Sequence, residues 1–231
     1  MPSRIDPGFL QNVALLRGLP PDQMQKLIPM LHQRDFPAST NVITAQEPGE
    51  GVYAILSGTA KVYLNDADGS EVIIAILGPG EVVGEMSLAD SLGRSANVLT
   101  LERSTFLWMD RRTLLASMDE SPVIARNLAG ILSRRLRLAN THARSLAVLD
   151  VQGRVAAQLL AFAGEYGEDT PDGNTRIPIR LTQSDLAALV GSSRVSVNQA
   201  LAYFKKRGAI SVDGKHRTTI HEREALERRA R

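Results

Sequence analysis

Between residues 35 and 115 the chain alternates short apolar runs with turn residues, and this punctuation limits what it can become. The turns are Pro48-Gly49, Ser57-Gly58, Asp68-Gly69, Gly78-Pro79-Gly80 and Leu92-Gly93. Between them, residues 52–56, 61–64, 72–77 and 106–109 are too short for ordinary helices and read as strands. Many short strands so closely spaced make a sandwich or barrel, such as a jelly roll.

The flanks carry a different period. Over residues 8–33, Phe9, Val13, Leu16, Met24, Leu27 and Leu31 recur at helical spacing, interrupted by Pro20-Pro21. Over residues 119–149, Ala125, Ala129, Leu132, Leu136, Ala139, Ala143 and Leu146 alternate steps of four and three, which is a heptad seam. Arg126, Arg134, Arg137 and Arg144 occupy the opposite face. So narrow a seam of alanine and leucine fits a partner helix and predicts a parallel homodimer; the alternative is a helix packed on its own domain. Asp150 and Gly153 mark a hinge before a helix over 151–163, a polar loop over 165–174 and a small helical domain with a hairpin at 212–215. The expected fold is α+β: a jelly roll with N-terminal helices (1–118), a dimerisation helix (119–149) and a winged helix-turn-helix (150–231).

Residues 181–210 read LTQSDLAALVGSSRVSVNQALAYFKKRGAI. Thr182 caps one helix, with Asp185 in the capping-box position; Gly191 supplies the turn, and Ser192 or Ser193 caps a second helix. That second helix turns Val197, Leu201 and Phe204 inward and Arg194, Val195, Ser196, Asn198, Gln199 and Lys205 outward. The cap, glycine and cap spacing is that of a helix-turn-helix, whose second helix enters a major groove. Thr182, Ser184, Ser193, Arg194, Val195, Ser196, Gln199 and Lys215 are the candidate DNA-binding residues. Residues 210–220 form a candidate wing, with Lys215 and Arg217 near its tip.

A second constellation lies at residues 78–98, GPGEVVGEMSLADSLGRSANV. Glu85 can accept from a sugar hydroxyl, and the fork of Arg94 suits a phosphate. The plainer alternative is a Glu85–Arg94 ion pair closing a surface loop.

Composition removes several rivals. The chain has no cysteine, which excludes disulfides, cysteine-ligated clusters and thiol nucleophiles. The four histidines, His32, His142, His216 and His221, all fall outside the predicted strands, which speaks against a metal-dependent enzyme on the roll. No apolar stretch has signal-peptide or membrane-spanning length, so a cytoplasmic protein with no membrane partner is expected.

With GEMSL at 84–88, RSA at 94–96, LDVQGRVAAQLL at 149–160 and the helix-turn-helix, the chain closely resembles the cyclic AMP receptor protein and fumarate–nitrate regulator superfamily of bacterial transcription factors along nearly its whole length. The resemblance implies a regulator and not an enzyme. In it, Gly84 and Ser95 present amides, Glu85 binds the ribose 2′-hydroxyl, Arg94 neutralises the cyclic phosphate, and Met86 and Ser87 complete the cassette. Its usual Thr-Ser purine contact is replaced here by Ala139-Asn140, so Asn140 takes that role. The ligand implied is cyclic AMP, with cyclic GMP as the alternative, and no metal, haem or iron–sulfur cluster is expected. Implied partners are double-stranded DNA, a second copy of the chain and RNA polymerase. The family's Arg-Glu and following Arg on the recognition helix become Arg194, Val195 and Gln199, which suit guanine, a thymine methyl and adenine, and predict an operator altered in its inner half-site bases. Nucleotide binding would shift the population toward one arrangement of the hinge at 149–153. A regulator that keeps the fold but answers to another effector, or to none, stays open because of Ala139.

Overall fold

The computed structural model describes residues 7–66, 71–89 and 92–231; the turn expected at Asp68-Gly69 lies outside them. Contacts divide the chain into two compact units, Met1–Leu64 with Ile74–Arg137 and Asn65–Ile73 with Leu138–Arg231.

In the first unit, α1 (Pro7–Leu10) and α2 (Pro21–Leu27), followed by a 3-10 turn at Ile28–Met30, precede eight strands among the described residues. These are β1 (His32–Phe36), β2 (Asn41–Ile43), β3 (Gly51–Ser57), β4 (Ala60–Asn65), β5 (Glu71–Leu77), β6 (Val82–Val83), β7 (Asn97–Thr100) and β8 (Ser104–Asp110), with the short helix α3 (Met86–Ala89) between β6 and β7. They form two four-stranded sheets, ordered β1-β8-β3-β6 and β2-β7-β4-β5. β1–β8, β3–β8, β3–β6, β2–β7 and β4–β7 pair antiparallel, with Tyr53 opposite Trp108 and Ile55 opposite Phe106.

Successive side chains of a strand point to opposite faces, and here both faces of the first sheet are covered. Tyr53, Ile55 and Phe106 join Ile43, Val83 and Val98 in the core of the roll. Val52, Ala54, Leu107 and Met109 face the other way and pack under α1, α2 and the helices that follow β8. Two-sided burial is why residues 52–56 and 106–109 are unbroken apolar runs. The helical reading of residues 8–33 holds only in part: residues 11–20 between α1 and α2 are turns and loop, and His32 and Gln33 lie in β1. That strand is polar and mostly exposed and, among the described residues, pairs only with β8, so it has no apolar alternation to announce it. His32 therefore does sit in a strand of the roll, against the expectation above; its ring lies 5.5 Å from that of Trp108.

Two helices follow, α4 (Arg111–Glu120) and α5 (Pro122–Val148). Asp110 caps α4, its carboxylate accepting from the Thr113 amide at 2.9 Å. Ile124, Leu128 and Ile131 bury one stripe of α5 in the helix-covered core. The expected seam is mostly a different stripe, although its Leu132 packs against that same core and Ala125 is half-buried. Leu136 on it is 63% exposed, and Ala129, Ala139, Ala143 and Leu146 are exposed as well. Arg134, on the face opposite that seam, pairs with Glu81 at 2.5 Å.

In the second unit, α6 (Val151–Tyr166), β9 (Glu168–Asp169), β10 (Thr175–Ile177), α7 (Gln183–Val190), α8 (Arg194–Lys206), β11 (Ile210–Val212), β12 (Thr218–Ile220) and α9 (Arg223–Glu227) build a helical domain with a small sheet ordered β11-β12-β10-β9. Leu159, Phe162, Leu186, Val190, Val197, Leu201 and Phe204 are buried. The loop expected over 165–174 is shorter than that, since α6 runs on to Tyr166 and β9 pairs with β10. The expected fold class holds: a strand-built N-terminal roll, a long helix and a C-terminal helix-turn-helix with a hairpin. No helix among the described residues is long and apolar enough to cross a membrane.

Candidate functional site

The cradle is built where β6 leaves the sheet. Gly84 follows it with φ of +83°, a left-handed conformation that L side chains rarely adopt, and a Cβ there would lie 2.4 Å from the Arg94 guanidinium. Arg94 is 8% exposed. Among the described residues it makes three hydrogen bonds: Nη1 donates to the Gly84 carbonyl at 2.8 Å and to Ser87 Oγ at 3.1 Å, and Nη2 donates to the Gly51 carbonyl at 2.7 Å. All three acceptors are uncharged, and a guanidinium has five donors. Burial pushes the Arg94 pKa down, against the opposing pull of Tyr53, Glu85, Glu50 and Glu47. A desolvated cation fixed by neutral oxygens is strongly stabilised by an anion.

Glu85 is 1% exposed. Its Oε1 accepts from Arg135 on α5, which also donates to the Val82 carbonyl. Its Oε2 is buried without a hydrogen-bond partner among the described residues. Such a carboxylate oxygen is costly unless something donates to it, and a sugar hydroxyl is a donor of the right kind. The plainer alternative, a Glu85–Arg94 pair closing a surface loop, is not what forms: both side chains are buried, and the ion-pair partner of Glu85 is Arg135. Sequence reading missed Arg135. Its adjacency to Arg134 was visible, but only the fold brings it to Glu85.

The structure thus gathers Gly84, Glu85, Ser87 and Arg94 in one place. Met86 is exposed beside them, and the exposed Ser95 donates to its Sδ at 3.5 Å. Asn140 is an exposed α5 residue of the second unit. Among the described residues, no group of three or more His, Cys, Asp or Glu side chains is placed to hold a metal.

The second constellation also forms from its caps. Thr182 and Asp185 make the full capping box, with the Asp185 amide donating to Thr182 Oγ1 at 3.1 Å and the Thr182 amide to Asp185 Oδ2 at 3.3 Å. The shorter aspartate therefore does the work expected of glutamate. Gly191 ends α7 in the left-handed region. Of the two candidate serines, Ser193 caps α8, its Oγ accepting from the Ser196 amide at 3.1 Å. Val197, Leu201 and Phe204 are buried, whereas Arg194, Asn198 and Gln199 are exposed and Val195 is 67% exposed. Ser184 and Lys215 are exposed too, and Thr182 and Ser196 are partly so. The hairpin joins β11 to β12 through Asp213, whose carboxylate accepts from the Lys215 and Arg217 amides at 2.8 and 2.9 Å. Arg217 is turned away from the tip, its Nε donating to the Pro178 carbonyl at 2.6 Å.

Residues 33–121 match the family model of the cyclic nucleotide-binding domain, and residues 153–229 match that of the Crp-like helix-turn-helix domain. The chain is 37% identical over 223 residues to the CRP-like cAMP-activated global transcriptional regulator of Mycobacterium tuberculosis (strain ATCC 25618 / H37Rv), covering 96% of this chain and 99% of the relative. It is 30% identical over 196 residues to the cyclic AMP receptor protein of Thermus thermophilus, covering 85% of this chain and 87% of that one. FixK2 from Bradyrhizobium japonicum has a similar fold, with a TM-score of 0.77 at 21% identity over 87% of this chain and 98% of that one. The chain belongs to the cyclic AMP receptor protein and fumarate–nitrate regulator superfamily of bacterial transcription regulators, with a cyclic nucleotide-binding domain followed by a DNA-binding helix-turn-helix domain.

Proposed function

We propose that the chain works as a homodimer that binds cyclic AMP in its roll and, in response, a palindromic operator through α8. The observation that carries this reading is the buried Oε2 of Glu85, which has no partner among the described residues, near the desolvated Arg94 guanidinium. A cyclic nucleotide offers what both lack: a 2′-hydroxyl to donate to the carboxylate and a phosphate to accept from the fork. Gly84, Met86, Ser87 and Ser95 shape the cradle, and Asn140 meets the purine through an amide that donates and accepts. Cyclic AMP is the ligand named for both curated relatives above.

On DNA, Arg194, Val195 and Gln199 read base edges. Thr182, Ser184, Ser193, Ser196 and Lys215 hold the backbone. The exposed stripe through Ala129, Leu136, Ala139 and Ala143 is the dimer seam, in a domain plan of roll (1–118), dimer helix (119–149) and reading domain (150–231). The complex acts in the cytoplasm with RNA polymerase as its further partner. A second reading, in which the same fold answers to a different effector, rests on Ala139, which brings no hydroxyl to the helix.

The test is a titration of a labelled palindromic operator at one fixed salt concentration, with and without cyclic AMP. Tighter binding with cyclic AMP, lost in Arg94→Leu, is the expected result. Equal binding with and without the nucleotide overturns the cyclic AMP switch and favours the second reading.

A further inference from the structure

The sequence HEREALERRAR over 221–231 reads as a solvated basic tail, with a basic helix on DNA as the alternative. The structure corrects the tail reading. Residues 223–227 form α9, and Leu226 is 0% exposed. The amides of His221 and Glu222 donate to the Ala209 carbonyl at 2.9 and 3.2 Å, which ties the start of the segment to the turn after α8. Two of the segment's four arginines pair within the segment: Arg223 with Glu227 at 2.9 Å and Arg228 with Glu224 at 3.7 Å.

Arg229 makes the longest reach. Its Nη1 lies 3.8 Å from Asp150 Oδ2. The other oxygen of that carboxylate caps α6, accepting from the Gly153 amide at 2.7 Å. The Arg229 guanidinium also lies 5.4 Å from the ring centroid of Tyr203 on α8, a ring that Arg207 approaches to 4.2 Å. The Arg229 backbone runs close against α6 as well, because a Cβ on Gly153 would stand 2.7 Å from its carbonyl oxygen. One side chain therefore touches the cap of α6 and the last turns of the helix offered to DNA. An exposed ion pair adds little stability, so its value lies in fixing position.

We propose that Arg229 is a positioning residue: it braces the first turn of α6 against α8, and the segment 221–231 serves the protein's own DNA-reading helix instead of touching DNA. For its effect on regulation, this rests on the function proposed above; the brace itself does not.

The test is amide hydrogen exchange on the full chain, without nucleotide or DNA, comparing wild type with Arg229→Gln and Arg229→Lys. Severalfold faster exchange in Arg229→Gln at the Gly153 amide and in the last turn of α8 is expected, with partial recovery in Arg229→Lys. Faster exchange confined to 223–231, or none, overturns the brace. Operator titrations across salt concentrations separate it from direct DNA binding. A brace leaves the salt slope of Arg229→Gln unchanged and reduces the cyclic AMP enhancement about threefold or more, whereas loss of a phosphate contact lowers the slope by about one. That lower slope overturns the proposal. If wild type shows no cyclic AMP enhancement, the proposed function fails, and the exchange result still decides the brace.

Discussion

Arg135 on α5 donates both to the Glu85 carboxylate and to the Val82 carbonyl, so one guanidinium fastens the long helix to β6 and to the cradle behind it. Only one oxygen of Glu85 is engaged this way. Under the proposed function, a ribose hydroxyl arriving at Oε2 would add a bond without displacing Arg135 while drawing on the same negative charge, so that ligand and helix would be coupled through a single carboxylate.

Replacing that carboxylate separates the two roles. A hydrogen bond to a charged group contributes about 1.5–3 kcal/mol, so Glu85→Gln is expected to weaken cyclic AMP binding about tenfold or more. Calorimetric titration with 2′-deoxy cyclic AMP checks the assignment: wild type should favour the hydroxylated ligand, and the variant should lose most of that preference. Equal losses for both ligands would mean that Glu85 acts only through Arg135.

The seam on α5 is tested at Leu136, whose exposure means that a charge there leaves the core untouched. Leu136→Glu places like charges opposite one another across a parallel pair of helices. Sedimentation should show a dimer for wild type and a monomer for the variant, with thermal stability of the monomeric fold little changed. A Leu136→Glu protein that still sediments as a dimer would point to another interface.

Two exposed side chains of the reading domain should fail in different ways. Lys215→Ala is expected to weaken binding about equally on all sequences and to lower the salt slope by about one. Gln199→Ala is expected to cost about 1–3 kcal/mol on the preferred operator, to relax the choice of one base pair and to leave the slope alone. Binding selections on randomised operators at two salt concentrations read both effects.

Burial, reinforced by the nearby Arg154 cation, holds the His142 imidazole below its ordinary value of 6.5. Protonation is then harder in the folded chain than in the unfolded one. The resulting stability is present above pH 6.5 and is lost as pH falls through the depressed folded value. Melting temperatures between pH 8 and pH 5 should fall less steeply for His142→Gln than for wild type.

What was legible in the sequence follows from where the determinants lie. The helix pair α7 and α8 was readable because Thr182, Asp185, Gly191 and Ser193 are local signals of termini, each acting within four residues. Strands β3, β4, β5 and β8 were readable from short apolar runs between turns. Strand β1 was not, since HQRDF is a polar edge that depends on β8 for its pairing. Arg135 was hidden for a related reason. Nothing local in two adjacent arginines on a helix names their partners, and only the packing of Ile124, Leu128 and Ile131 turns them toward Glu81 and Glu85. The tail reading of HEREALERRAR gave its charge too much weight and the single buried Leu226 too little.

Arg134 and Arg135 grip Glu81 and Glu85 at one level of α5, and Val148 lies thirteen residues farther along the same helix. At about 1.5 Å per residue, that leaves a lever arm of roughly 20 Å beyond the grip. Under the proposed function, any change of tilt that the nucleotide causes at these two carboxylates would grow with distance along that arm, which is how a small adjustment could reach the size of a helix shift at an interface.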